Sequence, residues 1–530
     1  MRSLLSLAAL LGVSSTPSLA MFYYPNPTAS LLEHILVDNW GAYASNFSSA
    51  ITPCTRYVTW TGSEADNSGR TTSAQWMRVG FHDFVTADVD AGTGGMDASI
   101  GFETERAENK GVAFNDSFTF WRPFVNEYVS MADLVSVGTV MSVHLCGGRY
   151  IPFKPGRIDA AAADPRTGVP EPSSSVEEML SQFASSGFDR EEAISLTACG
   201  HTLGSTHHEG FPEVADNSTV SPTNTEGGID FDMSRGIFDP LVVQEYIDGT
   251  GNRGGALVTS FNETSRSDLR LYESDGNATM QKLYSQGDDF VNTCVNLLER
   301  MLHTVPSGVQ LQDAISPFLI NPINVTWDVT TDNQLTLSGK IRLLHAGQIS
   351  EDPATITFSN GYRETLNPEP ETGSSAFKLG PDGLNATALF FPFSIPSSNL
   401  SGATDFTISA PGFETQTFAI QDSAFIVPSL TRVSGSSVSV TVAARKNGTD
   451  FDSSQLAMKV RTPVTQPLTL GPRVLDADLQ LEQAESPLSD FGYWSGTAAI
   501  GTSTGAVSVT LLSGEEVVDR LLLGAGVAGW

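Results

Sequence analysis

The hydrophobic pattern of this chain changes period near Pro306, and no single layer of secondary structure can serve both halves. Between residues 30 and 305 apolar residues recur at helical spacing. Leu31-Leu32, Ile35-Leu36 and Trp40 predict one helix face, and Val125, Tyr128-Val129 and Ala132 a second. Val176, Met179-Leu180 and Phe183 predict a third. Ser173 to Ser175 are its cap candidates, and Glu177-Glu178 stand in its first turn. Phe290-Val291, Val295, Leu297-Leu298 and Met301-Leu302 predict the last. Beyond Pro306, short alternating runs rich in Thr, Val and Ser take over, such as Val329 to Ile341, Ala354 to Phe358 and Ser436 to Val442. Gly, Pro, Asn and Asp break them, as in β-sandwich modules. The expectation is a mainly α domain over 21–306, then an all-β region of two sandwich modules, 307–421 and 422–530. One larger sandwich over the same residues is the alternative.

The first 20 residues carry Arg2, an apolar run from Leu4 to Val13, and Ser18-Leu19-Ala20. That pattern predicts a cleaved secretory signal. Secretion would make the Asn-X-Ser/Thr triplets at Asn46, Asn115, Asn217, Asn262, Asn277, Asn324, Asn385, Asn399 and Asn447 glycan acceptors. No other run is long and apolar enough to predict a transmembrane segment. The formal charge of −31 argues against nucleic acid as a partner, because a phosphate backbone needs a basic surface. Four cysteines in 530 residues do not make a disulfide-stapled miniature, and they allow three connectivities.

Two stretches carry chemistry. Arg78-Val79-Gly80-Phe81-His82-Asp83 places an arginine one helical turn before a histidine, on the same face. Thr197-Ala198-Cys199-Gly200-His201-Thr202-Leu203-Gly204 places a second histidine on another apolar helix. One histidine able to bind iron, and a second beside a fixed positive charge, is the arrangement a haem peroxidase needs. Further segments follow: Gly94-Gly95-Met96-Asp97-Ala98-Ser99, Glu103 with Asn109, Met131-Ala132-Asp133-Leu134, Gly156-Arg157 with Asp159, and Val169-Pro170-Glu171-Pro172. After the second histidine come Asp232-Met233-Ser234-Arg235-Gly236-Ile237-Phe238-Asp239 and Leu271-Tyr272-Glu273-Ser274-Asp275. Over residues 25 to 305 this ordered set resembles the plant-type haem peroxidase superfamily, and within it the secreted fungal branch.

The resemblance implies a two-part helical fold with haem b held between a distal and a proximal helix. It implies that His82 is the distal base, that Arg78 stabilises developing negative charge, and that Phe81 flanks the iron. Asn109, held by Glu103, would orient His82. His201 would be the axial iron ligand, with Asp275 as its carboxylate partner. Two calcium ions are implied, one on Asp83, Gly95, Asp97 and Ser99, the other on Thr202, Asp232, Ser234, Ile237 and Asp239. Oxygen-only sets suit that hard cation. A Cys54–Cys146 bridge is implied as well. Cys199 and Cys294 then either pair or leave Cys199 as a small buried filler.

The resemblance thins at some positions. Where manganese-oxidising relatives place carboxylates, this chain has Gln75, Thr71 and His207, which argues against a manganese site. Leu196 stands where lignin-type relatives carry an exposed tryptophan, and Phe231 where other branches carry a proximal one. Trp60, Trp76 and Trp121 read as buried structural indoles, and His207-His208 as a loop rather than a zinc site. The sequence thus predicts a monomeric, secreted, glycosylated peroxidase. It would reduce hydrogen peroxide and oxidise small aromatic donors, with its β region in packing or polysaccharide contact. Rival readings are a haem-binding, wall-associated protein with vestigial activity, and a non-haem structural protein. The helical domain is expected to stand alone when the chain is cut near Val305.

Overall fold

The computed structural model describes residues 23–59, 68–347, 352–380, 382–446 and 455–524. The predicted signal segment, Trp60 and Asn447 lie outside the described residues. The first half is helical. Its main helices include Thr72–Phe84, Met131–Leu145, Arg190–Gly200 and Phe290–His303. The Met131–Leu145 helix is buried along almost its whole length, consistent with its nearly all-apolar sequence. Phe290–His303 instead buries one stripe, Phe290, Val291, Cys294, Leu297, Leu298, Met301 and Leu302.

Two predicted helix faces end elsewhere. The Pro27–Val37 helix stops before Trp40, because Asp38 takes non-helical dihedrals (φ −86°, ψ 77°) as its C-cap. Trp40–Gly41 becomes a strand. Val125 to Val129 is not helical either. Asn126 and Val129 form a bridge, and the Asn126 side chain accepts from the Tyr128 N–H. The next helix starts only after Ser130, whose hydroxyl caps the Asp133 N–H.

Both cysteine pairs are bridged. Cys54–Cys146 ties the segment before the Thr72–Phe84 helix to the C-cap of Met131–Leu145. Cys199–Cys294 ties the helix leading to His201 to Phe290–His303.

The second half is antiparallel β structure. One five-stranded sheet runs Trp40–Gly41, Gly373–Leu379, Leu384–Pro396, Leu335–Ala346, Ile320–Val329. A four-stranded sheet, Gln416–Ala419, Asp405–Ser409, Ala354–Phe358, Arg363–Leu366, shares its core. A second pair of sheets is built from strands between Ala424 and Leu523, with Val438, Val440, Val442, Val460, Val507 and Val509 in its own core. The Ala354–Phe358 strand alternates buried and half-buried residues, as a one-sided strand should.

The middle of the strand Leu384–Pro396, from Ala388 to Phe391, is buried on both faces. Phe391 and Phe393 enter the sandwich core, while Phe390, Ala386 and Ala388 enter the helical core. Leu344 does likewise from the neighbouring strand. The helical and β parts therefore share hydrophobic packing. A buried ion cluster crosses the same boundary. Arg342, with no exposed side-chain surface, donates to Glu33 Oε2 at 3.0 Å and Asp38 Oδ2 at 2.7 Å. Glu33 also accepts from the Phe318 N–H at 2.9 Å. Burial alone would lower the Arg342 pKa, but Asp38 and Glu33 outweigh it and hold the group charged. The second β unit reaches the helices too, through an Arg461–Glu127 ion pair and a Leu470 N–H to Gly101 carbonyl bond of 3.0 Å.

Candidate active site

The Thr72–Phe84 helix forms one wall of a cavity of about 280 Å³. Arg78 and His82, one turn apart, both line it. The His82 imidazole is 7% exposed, and its Nδ1 lies 2.7 Å from Asn109 Oδ1. Asn109 Nδ2 donates to the Glu103 backbone carbonyl at 2.9 Å, so its amide oxygen is the atom left facing His82. His82 Nδ1 must then carry the proton, and Nε2 keeps a free lone pair. The Glu103 carboxylate does not touch Asn109. It accepts from the Asp164 N–H at 2.9 Å and pairs with Arg106 at 2.7 Å. Glu103 thus anchors the loop, and its carbonyl does the orienting.

Burial, then the Arg78 charge, lowers the His82 pKa to about 3, against the opposing Asn109 bond. Arg78 donates from Nη1 to the Lys110 carbonyl at 2.9 Å, and its guanidinium lies 4.9 Å from the Phe114 ring centre. Its Nη2 is buried without a partner. Burial, then Arg70, lowers its pKa to about 10, which leaves it cationic in ordinary conditions. Phe81 lines the cavity and packs against Phe183, with ring centres 5.8 Å apart.

The Arg190–Gly200 helix forms the opposite wall. An Asp189/Glu192 capping box starts it, and His201 is its C-cap. The His201 imidazole stacks on Phe231, ring centres 4.1 Å apart and planes 6° from parallel. Its Nδ1 lies 2.6 Å from Asp268 Oδ2. Asp275, expected from the sequence as this partner, is engaged elsewhere. It accepts from the Thr279 N–H at 2.9 Å and the Thr279 hydroxyl at 2.6 Å, in the first turn of the Ala278–Gln286 helix. Asp268 lies in the first turn of the Ser267–Glu273 helix, which lines the cavity, whereas Asp275 lies beyond its end. The available signal was that the segment holds two aspartates seven residues apart, only one of them at a helix start.

Parts of the two predicted calcium sets lie together: Asp83 with Asp97 and Ser99, and Asp232 with Ser234 and Ile237. The Asp83 carboxylate, fully buried, accepts the N–H groups of Asp97, Ala98 and Ile100 at 3.1, 2.9 and 3.1 Å. Asp97 accepts from the Ser99 N–H at 3.0 Å, and the Ser99 hydroxyl is buried among the Asp97, Glu103 and Asp164 carboxylates. Gly95 has φ +103°, and a Cβ there would sit 2.5 Å from the Thr304 carbonyl, so only glycine fits. Burial first, then neighbouring carboxylates, raise the pKa of Asp83 and lift Asp97 to about 7. In the second set Asp232 Oδ1 accepts from the Ser234 N–H, the Ser234 hydroxyl and the Arg235 N–H, while its Oδ2 is buried without a partner. Asp239 accepts from the Leu241 N–H, and Thr202 donates to the Cys199 carbonyl at 3.2 Å. The Ser234 hydroxyl lies 3.4 Å from the Ile237 carbonyl. Among the described residues no three His, Cys, Asp or Glu side chains converge as a metal group, so either set would depend on hydroxyl and carbonyl oxygens.

Gln75, Thr71, His207 and Leu196 all line the cavity. His207 and His208 face different partners, Ser205 Oγ at 3.3 Å and the Ala215 carbonyl at 2.8 Å. Trp76 and Trp121 are buried, with ring centres 5.3 Å apart.

Two histidines facing one cavity from opposite helices, each oriented through Nδ1 by an oxygen acceptor, define the framework of a haem-dependent redox protein. Residues 58–284 match the peroxidase family model and form a plant-type haem peroxidase domain. Over 350 residues, 66% of this chain and 44% of the relative, it is 33% identical to a WSC domain-containing protein of Arthroderma benhamiae. It is 35% identical to the peroxisomal L-ascorbate peroxidase 5 of Arabidopsis thaliana, over 27% of this chain and 51% of that protein. It is 29% identical to the cytosolic L-ascorbate peroxidase 2 of the same plant, over 27% of this chain and 61% of that protein. The chain thus spans about half the length of these relatives.

Proposed function

We propose that this protein is a secreted haem peroxidase that reduces hydrogen peroxide and oxidises small aromatic donors by one-electron steps. The observation that carries the reading is the pairing of His82–Asn109 with His201–Asp268 across one cavity. The residues present suit haem. The walls are apolar where a macrocycle would lie, with Phe81, Phe183, Leu203, Phe231 and Met301 among them. Thr71 Oγ1 and Arg78 Nη2 are buried donors without partners on the same cavity, ready for anionic oxygens.

Haem held by His201 would supply the iron at which peroxide is cleaved. His82 Nε2, neutral and with a free lone pair, takes the proton of the incoming peroxide and returns it to the departing oxygen as water forms. Arg78, permanently charged, stabilises the negative charge that develops on that oxygen. Asn109 holds the His82 tautomer through this cycle. Asp268 draws the His201 Nδ1 proton and strengthens Nε2 as a ligand. Phe231 offers no indole to oxidise beside His201.

Calcium is part of the proposal. Asp232 Oδ2 is a buried carboxylate oxygen without a hydrogen-bond partner, free to serve as an oxygen ligand. Each set adjoins a site histidine in sequence, Asp83 after His82 and Thr202 after His201, so a bound ion would brace both helices. Two disulfides, and the lack of any described helix long and apolar enough to cross a membrane, support secretion. The test is a spectrum. Haem-loaded protein should show a Soret band that shifts on one equivalent of peroxide and returns when a phenol is added. Bound haem without a shift would leave a haem-binding protein, and absence of haem would refute both.

A further inference from the structure

We propose that the turn between the strands Leu456–Thr465 and Pro472–Leu479, in the second β unit, is a positioning element of the peroxide site. Through Gly101 and Glu103 it fixes the Asn109 side chain that orients His82. The proposal rests on the peroxidase reading above.

The two strands pair as far as Thr465 and Pro472, where a tight two-residue turn would suffice to close the hairpin. The chain instead runs out through Gln466 to Gly471. This longer turn is ordered from within. The Gly471 N–H donates to Thr469 Oγ1 at 3.2 Å, and Gln466 Nε2 to the Gly471 carbonyl at 3.3 Å. Leu468 takes φ +67°, uncommon for a residue with a Cβ, and is exposed, so the β core does not dictate the turn. What the turn reaches is the helical half. The Leu470 N–H donates to the buried Gly101 carbonyl at 3.0 Å, and the Leu470 side chain packs against the helical core. A Cβ on Gly101 would sit 2.9 Å from both Thr469 Oγ1 and Phe118 Cε1, so the missing side chain admits the turn. The same sheet is pinned nearby at Glu127, which pairs with Arg461 and accepts from the Ser508 hydroxyl.

Gly101 belongs to the short 3₁₀ helix Ser99–Phe102, and Glu103 is its C-cap. The Glu103 N–H donates to the Ile100 carbonyl at 3.0 Å. The Glu103 carbonyl accepts both the Arg106 N–H and Asn109 Nδ2, each at 2.9 Å. Asn109 Oδ1 then holds His82 Nδ1 at 2.7 Å. A hydrogen-bonded path therefore joins the β unit to the base that takes the peroxide proton. Without the Leu470 N–H the buried Gly101 carbonyl is left unpaired, and the 3₁₀ helix must shift to find another donor. The Glu103 carbonyl moves with it, and Asn109 loses the bond that turns its oxygen towards His82. A misplacement of about 1 Å at a reacting group costs on the order of 10²-fold in rate. The β unit thus acts on peroxide cleavage through the orienter of the base, without touching haem or donor.

The experiment uses full-length, haem-loaded protein. Residues 466–471 are replaced by the dipeptide Asn-Gly, which closes the hairpin without reaching Gly101. Rapid mixing gives the rate with peroxide for the wild type, the turn replacement, Asn109→Ala and the two changes combined. The turn replacement should keep its resting Soret band and react with peroxide about tenfold more slowly or worse. Added to Asn109→Ala, it should change the rate by less than about twofold, because two changes on one path are not additive. Gly101→Ala tests the same contact with the β unit intact, by wedging a methyl group between Thr469 and Phe118. It should slow the reaction likewise, and only while Asn109 is present. An unchanged peroxide rate in the folded turn replacement, or in Gly101→Ala if the replacement does not fold, would overturn the proposal. An equal loss with and without the Asn109 side chain would overturn it too, since the turn would then serve stability or the Ser99 loop alone. A wild type without a Soret shift on peroxide would instead remove the peroxidase reading beneath it.

Discussion

His82 is held neutral by its surroundings: burial, then Arg78, takes it to about 3. A neutral base is what peroxide activation requires, so protonation below that value should abolish it. The rate of reaction with peroxide should be flat across about pH 5 to 8 and fall only as acid approaches the His82 pKa. A stopped-flow profile with an acid limb near the ordinary histidine value would contradict the Asn109–Arg78 environment described here. At the other histidine the two aspartates separate cleanly. Asp268→Asn should change the iron spin state and weaken haem retention, because the remaining amide is a poorer acceptor for His201 Nδ1. Asp275→Ala should leave the haem spectrum alone and lower stability by about 1 kcal/mol, the scale of the lost hydrogen bonds to Thr279. The reverse outcome would restore Asp275 as the partner. Sequence comparison selected Asp275 because the Leu-Tyr-Glu-Ser-Asp string matched. Which aspartate reaches His201 depends on where the Ser267–Glu273 helix starts, and no string specifies that.

At the level of elements, the helices carrying the site histidines were legible through their motifs, and Val176–Ser185 through its apolar face and serine cap candidates. The Asp189/Glu192 and Ser175/Glu178 capping boxes mark the starts of two of them. Arg78 and His82 share a face by helical periodicity alone. Trp40 was not legible as a strand residue, because its neighbours are apolar at helical spacing and its partner strand, Gly373–Leu379, lies more than 300 residues away. Val125 to Val129 misled in the same way, since the Asn126 side chain closes a turn that apolar spacing cannot register. The proposed calcium ions belong to this scale too. Prolonged chelation should lower the thermal midpoint and alter the iron spin state together, because Thr202 and Asp83 adjoin the two site histidines. A protein without calcium by elemental analysis, and indifferent to chelator, would contradict both sets.

At the level of the whole molecule, the change of texture at Pro306 announced the β region but not its attachment. The contacts across that boundary reverse the expectation that the helical half stands alone. Cutting near Val305 would remove Arg342 and leave the buried Glu33 and Asp38 carboxylates without their cation. The cut would also strip Phe390 and Leu344 from the helical core and open an apolar face to water. The truncated chain should be insoluble, or should melt well below the full chain. A soluble truncated protein with an unchanged midpoint would show the two parts to be independent.

The central claim is that His82 and His201 face each other across a peroxide-reducing haem site. Rapid mixing of peroxide with haem-loaded wild type and with His82→Leu tests it most directly. General acid–base catalysis is worth about 10²–10⁴-fold, so the variant should keep its haem and Soret band while the peroxide-dependent shift slows by roughly that factor. A His82→Leu protein that reacts with peroxide at the wild-type rate would contradict the account.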